Sequence, residues 1–292
     1  MKLPRGYISP RLFSECVNKM RAFFNAKGFI EAHPQNRLSI LAACEDPSTI
    51  ATYNYDGKIW PLPQTGQMWL EYELLRNPSA EGFYCVSTSY RNEPNPIPGR
   101  HELIFPMFEF EMHGGVDEMQ VMQEELLDHL GFDTYFNKDA EGKTIYPQGN
   151  YDDLAKEYGV DELENEHEAD LCVRNGPVYF LKNFPNHTSP FWNMKQHDDG
   201  LSAKKIDVIV DGMETIGSAE RATDKEQMRH MFHNISEGGY AGKLYDLFGQ
   251  ERVNAELDEF LNFDFFPRSG GGIGVTRMIS AMRNNGLMES DV

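Results

Sequence analysis

Arg91-Asn92-Glu93 closes a strand-like run, Phe83 to Tyr90, and a Pro/Gly-rich turn then leads through Arg100-His101 into the alternating stretch Ile104 to Met112. Arg91 and Glu93, two apart on extended chain, point to one face. The planar fork of an arginine bridges a phosphate and a carboxylate at once and offsets charge developing at phosphorus. Arg100 and His101 sit on a loop with the reach to meet terminal phosphates, and Phe105 on the returning strand is positioned to stack beneath an adenine. In isolation an Arg-x-Glu triplet reads as a surface salt bridge, and Phe105 as a core residue. Together they are the parts for holding a nucleoside triphosphate beside a carboxylic acid.

A second arginine, Arg277, follows the glycine-rich run Ser269 to Gly274. No Lys-Ser/Thr follows those glycines, so they are not a Walker loop. They also lack the buried strand and the later ribose acid of a dinucleotide fingerprint. Bare glycines let a ligand lie flat on a strand, with Arg277 opening the next helix. The alternative is a tight turn beside an exposed arginine.

The elements that must position these residues follow from periodicity and punctuation. Residues 10–28 predict an amphipathic helix, 29–34 a short strand ending at proline, and 38–66 a loop with a hairpin around Tyr55-Asp56-Gly57-Lys58. A helix is predicted at 67–76, strands at 83–91 and 103–113, and a helix at 117–129. Residues 132–170 are acidic and turn-rich, an inserted or peripheral segment. Strands at 177–183 and 205–211 precede helices at 224–235, 240–248 and 252–261, the glycine strand and a final helix. Strands and helices mixed without βαβ alternation predict an α+β fold, an antiparallel sheet flanked by helices, as one domain over 1–292.

Composition bounds the partners. No run of about 18 apolar residues suggests a membrane span, and Met1 to Gly6 lacks an apolar signal core, so a cytoplasmic protein is expected. Cys16, Cys44, Cys85 and Cys172 are far apart and read as reduced thiols, not a disulfide frame or zinc site. A net charge of −19, from 46 acids and 27 bases, disfavours a large nucleic-acid interface but not small anions held with a metal.

The motifs carry a family resemblance over nearly the whole chain. Arg91-x-Glu93 with its loop and Phe105 resembles motif 2 of class II aminoacyl-tRNA synthetases, and Gly272 to Arg277 resembles their motif 3. Gly28-Phe29-Ile30-Glu31-Ala32-His33-Pro34 is similar to motif 1, which implies a homodimer. Ile206 to Arg221 resembles the aspartyl/asparaginyl branch. Gly66-Gln67-Met68-Trp69-Leu70-Glu71 and Phe105 to Glu111 look asparaginyl-like, since an aspartyl enzyme is expected to carry lysine at Leu70.

The resemblance implies a class II catalytic fold and an ATP-dependent former of acyl adenylates. Arg91 would hold the α-phosphate and the reacting carboxylate, Glu93 the adenine side, and Arg277, assisted by Arg100 or His101, the γ-phosphate. Gly274 belongs to the same ATP site. Asp207 and Glu214 would hold Mg²⁺ on the phosphates, or else are solvated acids at a strand end. Gln67 and Glu109 would receive the substrate's amino group or other polar end, and Arg221 its distal carboxylate or amide. Two departures stand out. Ile104 replaces an acid before the stacking aromatic, and Glu220 replaces a glutamine, which makes Glu220 a candidate for the substrate ammonium.

The chain begins almost at motif 1, without the branch's anticodon-binding barrel. With its acidity, this argues against tRNA as acceptor and toward the stand-alone asparagine synthetase related to asparaginyl-tRNA synthetase. Aspartate or a close analogue would be adenylated, and ammonia or another small amine would attack, releasing AMP and pyrophosphate. The alternatives are a synthetase-like enzyme that charges tRNA and a non-catalytic amino-acid-binding paralogue.

Overall fold

Ser9 and Pro10 start the first helix: the serine hydroxyl accepts from Leu12 N, and proline supplies a pre-set φ at the first helical position. The computed structural model describes residues 7–35, 38–40, 47–96, 102–188 and 190–289. Arg100, His101 and the loop tip with Cys44 lie outside these.

Among the described residues the first half contains α1 (Pro10–Ala26), β1 (Ile30–Glu31), the hairpin β2 (Thr52–Tyr55) and β3 (Lys58–Pro61), α2 (Gln67–Arg76), β4 (Gly82–Tyr90), β5 (Ile104–His113) and α3 (Val116–Leu130). Then come β6 (Gln148–Asn150), α4 (Tyr151–Tyr158), α5 (Asn165–Asn175), β7 (Val178–Pro185), β8 (Ser202–Val210) and β9 (Met213–Glu220). The chain continues through α6 (Lys225–Asn234), α7 (Gly239–Phe248), α8 (Gln250–Leu261), β10 (Arg268–Gly274) and α9 (Val275–Asn284).

Eight strands form one sheet in the order β1-β4-β5-β10-β9-β8-β7-β6. Only the two short edge strands pair in parallel, β1 with β4 and β6 with β7. The α+β expectation is met. The segment 132–170 supplies β6 and α4 at one edge of that sheet. Strand β9 and, in and after the acidic segment, β6, α4 and α5 are elements the sequence reading did not include.

Strand alternation sorts the side chains into two layers. Phe108 and Phe110 of β5, Ile206, Val208 and Val210 of β8, Ile216 of β9 and Ile273 of β10 are buried under α1, α3 and α9. Their neighbours therefore face the other way: Phe105, Met107, Glu109 and Glu111 of β5, Lys205 and Asp207 of β8, Gly217 of β9, and Gly270, Gly272 and Gly274 of β10. That second face is covered at one end by the cluster of Tyr72, Trp192, Phe232 and Phe260, built from α2, α6–α8 and the segment between β7 and β8. At the other end Leu154 and Leu171 of α4 and α5 pack on Tyr179, Leu181 and Ile209. The middle of the sheet is left as a trough.

Cys16 and Cys85 are buried free thiols, and Cys172 is a partly buried one. Among the described residues no helix is long and apolar enough to cross a membrane.

Candidate active site

At the β10 end of the trough a cavity of about 430 Å³ is lined by Arg91, Glu93, Phe105, Glu214, Gly274 and Arg277. Arg91 follows β4, and its guanidinium lies 5.3 Å from the centroid of the Phe105 ring on β5. Gly274 caps α9, which puts Arg277 in the first helical turn, where Nη1 donates to the Glu214 carbonyl. The two arginines expected at opposite ends of a triphosphate therefore line one space. Glu102, which sequence reasoning passed over, lines it as well. Its Oε2 is buried with no hydrogen-bond partner among the described residues, whereas Ile104 is 58% exposed. The signal for Glu102 was an acid two residues ahead of the missing one.

The bare glycines of β10 are a steric requirement. A Cβ on Gly270 would lie 1.9 Å from Glu111 Oε2 and 2.4 Å from the Phe110 carbonyl, and one on Gly272 would lie 2.6 Å from Met107 Cε. These glycines keep the floor of the trough low.

Asp207 and Glu214 reach the same place by different routes. Asp207 faces the trough by alternation. Glu214 does so because the β8–β9 register shifts: Val208 pairs with Ile216 but Ile209 with Glu214, leaving Thr215 as an extra residue. A β-bulge of this kind re-aims the side chains before it. Both carboxylates converge over Gly217, where a methyl group would lie 2.9 Å from Glu214 Oε1 and 3.7 Å from Asp207 Oδ1. Glu168 of α5, also missed from sequence, accepts from Glu214 N at 3.3 Å. Burial pushes the Asp207 carboxyl up to about 8; Lys205, 2.5 Å away, opposes that, while Glu214 and Glu168 add to it. Asp207 Oδ1 has no partner among the described residues. A buried orphan oxygen facing a second carboxylate suits a hard cation. Among the described residues no group of three or more His, Cys, Asp or Glu could hold a metal alone. A Mg²⁺ here fits as an ion shared with phosphate oxygens.

A second cavity, about 250 Å³, adjoins the first and is lined by Gln67, Met107, Glu109, Lys205 and Arg221. Arg91, Glu214, Gly217 and Gly272 line both. Glu109 is held by Gly66 N at 2.8 Å, Ser87 Oγ at 2.5 Å and the Thr65 hydroxyl. Burial raises its carboxyl, and those donors limit the rise. Gln67 donates to Glu111 Oε2 at 3.2 Å. Arg221 contacts the same oxygen at 3.2 Å, and Arg268 behind it binds Glu71 at 2.7 Å. Burial, with Glu71 nearby, pushes Glu111 up to about 7 despite Arg221 and Arg268.

The expectation that Glu220 enters this pocket is corrected by strand geometry. Glu220 and Arg221 are adjacent on extended chain, so they face opposite sides. Glu220 meets Lys195 at 2.7 Å, Lys204 at 3.4 Å and Val116 N, at the start of α3, at 3.1 Å. Burial alone would raise its carboxyl, but these partners lower it. Leu70 is buried with Leu74, Phe83 and Cys85. The cation that lines the second cavity beside Arg221 and Arg91 is Lys205, a residue the sequence reading did not single out.

A family model described as class II tRNA synthetases (D, K and N) matches residues 9–287. An aspartate–tRNA(Asp) ligase of Pyrobaculum aerophilum is 21% identical, over 97% of this chain and 65% of its own length. An asparagine–tRNA ligase of Desulforamulus reducens is 22% identical, over 96% of this chain and 67% of its own. The chain thus spans about two thirds of the curated relatives it matches. Among solved structures, asparaginyl-tRNA synthetase from Pyrococcus horikoshii complexed with asparaginyl-adenylate superposes with a TM-score of 0.73 at 20% identity, covering 93% of this chain and 64% of that one.

Proposed function

The chain belongs to the class II tRNA synthetases of the D, K and N group, and from that premise we propose that it is an AMP-forming ligase whose acid substrate is aspartate or a close analogue. The observation that carries this reading is the shared wall: Arg91 lines both the larger cavity, with Arg277 and Glu214, and the smaller one, with Gln67 and Arg221. A group lining both spaces can touch an α-phosphate and a carboxylate at once.

In this proposal an oxygen of the acid attacks the α-phosphorus, the bond to pyrophosphate breaks, and Arg91 offsets the charge that builds at phosphorus. Phe105 stacks on the adenine, Glu93 contacts its edge, Gly274 leaves room for the nucleotide, and Arg277 grips the γ-phosphate. Arg100 and His101 are proposed as further phosphate contacts. Mg²⁺ would be held by Asp207 and Glu214 and supplies neutralising charge on the phosphates. Gln67 and Glu109 take the amino-group end of the acid, and Arg221 the distal carboxylate. An amine nitrogen then attacks the acyl carbon and AMP leaves. Adenylation makes a good leaving group, so positioning suffices without a protein nucleophile.

For the acceptor we propose ammonia or another small amine, which the net charge of −19 supports against a polyanion. A second reading, transfer to tRNA, is favoured by the relatives, which are named as tRNA ligases. One experiment separates them. ATP, Mg²⁺ and aspartate are supplied with a panel of amines, and separately with total tRNA. Amine-dependent AMP and amide in the mass spectrum support the first reading; labelled aspartate or asparagine on tRNA without amide formation overturns it. We also propose a homodimer through β1, where Ile30 is 52% exposed. Light scattering should give twice the 33.4 kDa chain mass.

A further inference from the structure

Gln64 lies between β3 and α2, lines the smaller cavity and is 2% exposed. Its Oε1 is buried and has no hydrogen-bond partner among the described residues. No other residue lining this cavity has a buried side-chain polar atom in that condition among the described residues. The rest of the amide is engaged, since Nε2 donates to Thr49 Oγ1 at 2.9 Å. The Thr49 carbonyl in turn accepts from Asn92 N at 2.8 Å, and the Pro63 carbonyl accepts from Tyr90 N at 2.8 Å. Gln64 is thereby braced on the two residues that flank Arg91. A buried acceptor left bare is unfavourable, and a ligand donor that reaches it relieves that penalty.

Glu109, on the other wall, has little acceptor capacity to spare. A carboxylate oxygen offers about two lone pairs, whereas an ammonium brings three N–H donors. Glu109 Oε2 already accepts from Gly66 N at 2.8 Å, from Ser87 Oγ at 2.5 Å and from the Cys85 thiol at 3.8 Å. Oε1 accepts from the hydroxyl of Thr65, the residue after Gln64, which leaves it about one position. That oxygen lies toward the trough floor, 3.9 Å from where a Cβ on Gly272 would sit. Glu109 can therefore meet one N–H of an ammonium, and a second acceptor must come from another side chain. The cations lining the cavity, Arg91, Lys205 and Arg221, have donors only.

We propose that Gln64 is a specificity-determining residue of this cavity. Its Oε1 accepts an N–H of the substrate ammonium, so the cavity chooses a diacid that carries an ammonium over the same diacid without nitrogen. The proposal rests on the aspartate reading above. Glu109 supplies the opposing charge and one lone pair. Gln64 supplies a second lone pair without placing another negative charge beside the substrate's carboxylates. A diacid that lacks the nitrogen leaves both oxygens bare, and a site built around a hydrogen bond rejects such an analogue strongly.

The test is calorimetric binding of aspartate and of succinate to the full chain. It is run with and without Mg²⁺ and α,β-methylene-ATP, whose carbon bridge blocks adenylation. Wild type should bind aspartate at least about a hundredfold more tightly than succinate. Gln64→Met keeps the length of the side chain and removes the oxygen. It should weaken aspartate about ten- to hundredfold and leave succinate within about twofold. Gln64→Glu keeps an acceptor in place and should retain at least the wild-type preference, which provides a reading even where the methionine variant does not fold. An unchanged aspartate-to-succinate ratio in Gln64→Met, or a fall of that ratio in Gln64→Glu, overturns the proposal. Parallel loss of both acids marks a structural role for Gln64 and overturns it equally. In each of these cases wild type still binds aspartate and the aspartate reading stands. Wild type that binds neither acid overturns the aspartate reading and the role of Gln64 with it.

Discussion

Arg268 and Glu71 meet through two hydrogen bonds to one carboxylate oxygen, 3.2 Å from Nε and 2.7 Å from Nη2, and neither side chain reaches solvent. Arg268 begins β10 and Glu71 lies mid-way along α2, so the pair ties the glycine strand to the helix that carries Gln67. Behind the second cavity it continues into Arg221 and Glu111, giving two guanidiniums and two carboxylates. Breaking a buried pair from one side leaves an uncompensated charge and costs about 3–5 kcal/mol. Glu71→Ala should therefore lower the denaturant midpoint by that equivalent, and an unchanged midpoint would contradict the pairing.

Arg91 and Arg277 both line the larger cavity, proposed for the nucleotide, and are separable from stability. Neither belongs to the buried quartet, so Arg91→Ala and Arg277→Ala should shift stability by no more than about 1 kcal/mol. Aspartate-dependent ATP–pyrophosphate exchange should fall by at least about 10²-fold in each, the scale for removing a donor aimed at developing charge. Near-normal exchange in Arg91→Ala would remove the central assignment.

Asp207 ties stability to pH. Its folded value is pushed up to about 8, far above the ordinary aspartate range, with burial as the largest cause. The folded state thus favours the protonated form. That stabilisation is fully present below the ordinary carboxylate range and is lost as pH rises through about 8. Asp207→Asn imitates the neutral form. Without metal, the variant should gain melting temperature relative to wild type between about pH 5 and about pH 9. Mg²⁺ with ATP should close that gap in wild type only. Melts across that range that run parallel would show that Asp207 does not titrate there.

Two glycines on the same face of β10 predict different outcomes. At Gly270 an added methyl meets backbone and the Glu111 carboxylate, neither able to retreat. At Gly272 it meets the far end of the Met107 side chain, which can swing into the cavity. Gly270→Ala should fail to fold or lose several kcal/mol, as overpacked cores do at about 1–3 kcal/mol or more. Gly272→Ala should fold and show a raised KM for ATP or the acid. Equal stability of the two variants would refute the difference in surroundings.

The sequence disclosed the parts whose signals are local. Gln67 to Arg76 reads as a helix, Asp56-Gly57 as a hairpin turn, and the arginines stand out by their neighbours. Strand β9 was hidden because its trough-facing residues serve a cavity instead of a core, so only Ile216 marks the period clearly. Yet Asp211-Gly212, at φ 54° and 81°, joins β8 to β9 as a two-residue hairpin of the kind recognised at Asp56-Gly57, and the signal was available. Alternation likewise forbade placing Glu220 and Arg221 in one pocket. The bulge at Thr215 was not readable, since one unpaired residue appears only once the two strands are registered. Lys205, two residues before Asp207 on the same face of a predicted strand, was within reach by alternation, whereas Glu168 was not, because α5 meets β7, β8 and β9 only in the folded chain.

Because Arg91, Met107, Glu214, Gly217 and Gly272 line both of the cavities proposed for nucleotide and acid, the two proposed ligands cannot be strangers to one another. Any shift of these residues on loading one side changes the free energy of loading the other, and thermodynamic reciprocity makes the two changes equal. Whatever factor the nucleotide applies to the dissociation constant of the acid, the acid must return to the nucleotide. The common wall thus makes the order of addition a kinetic preference laid over a single coupling constant.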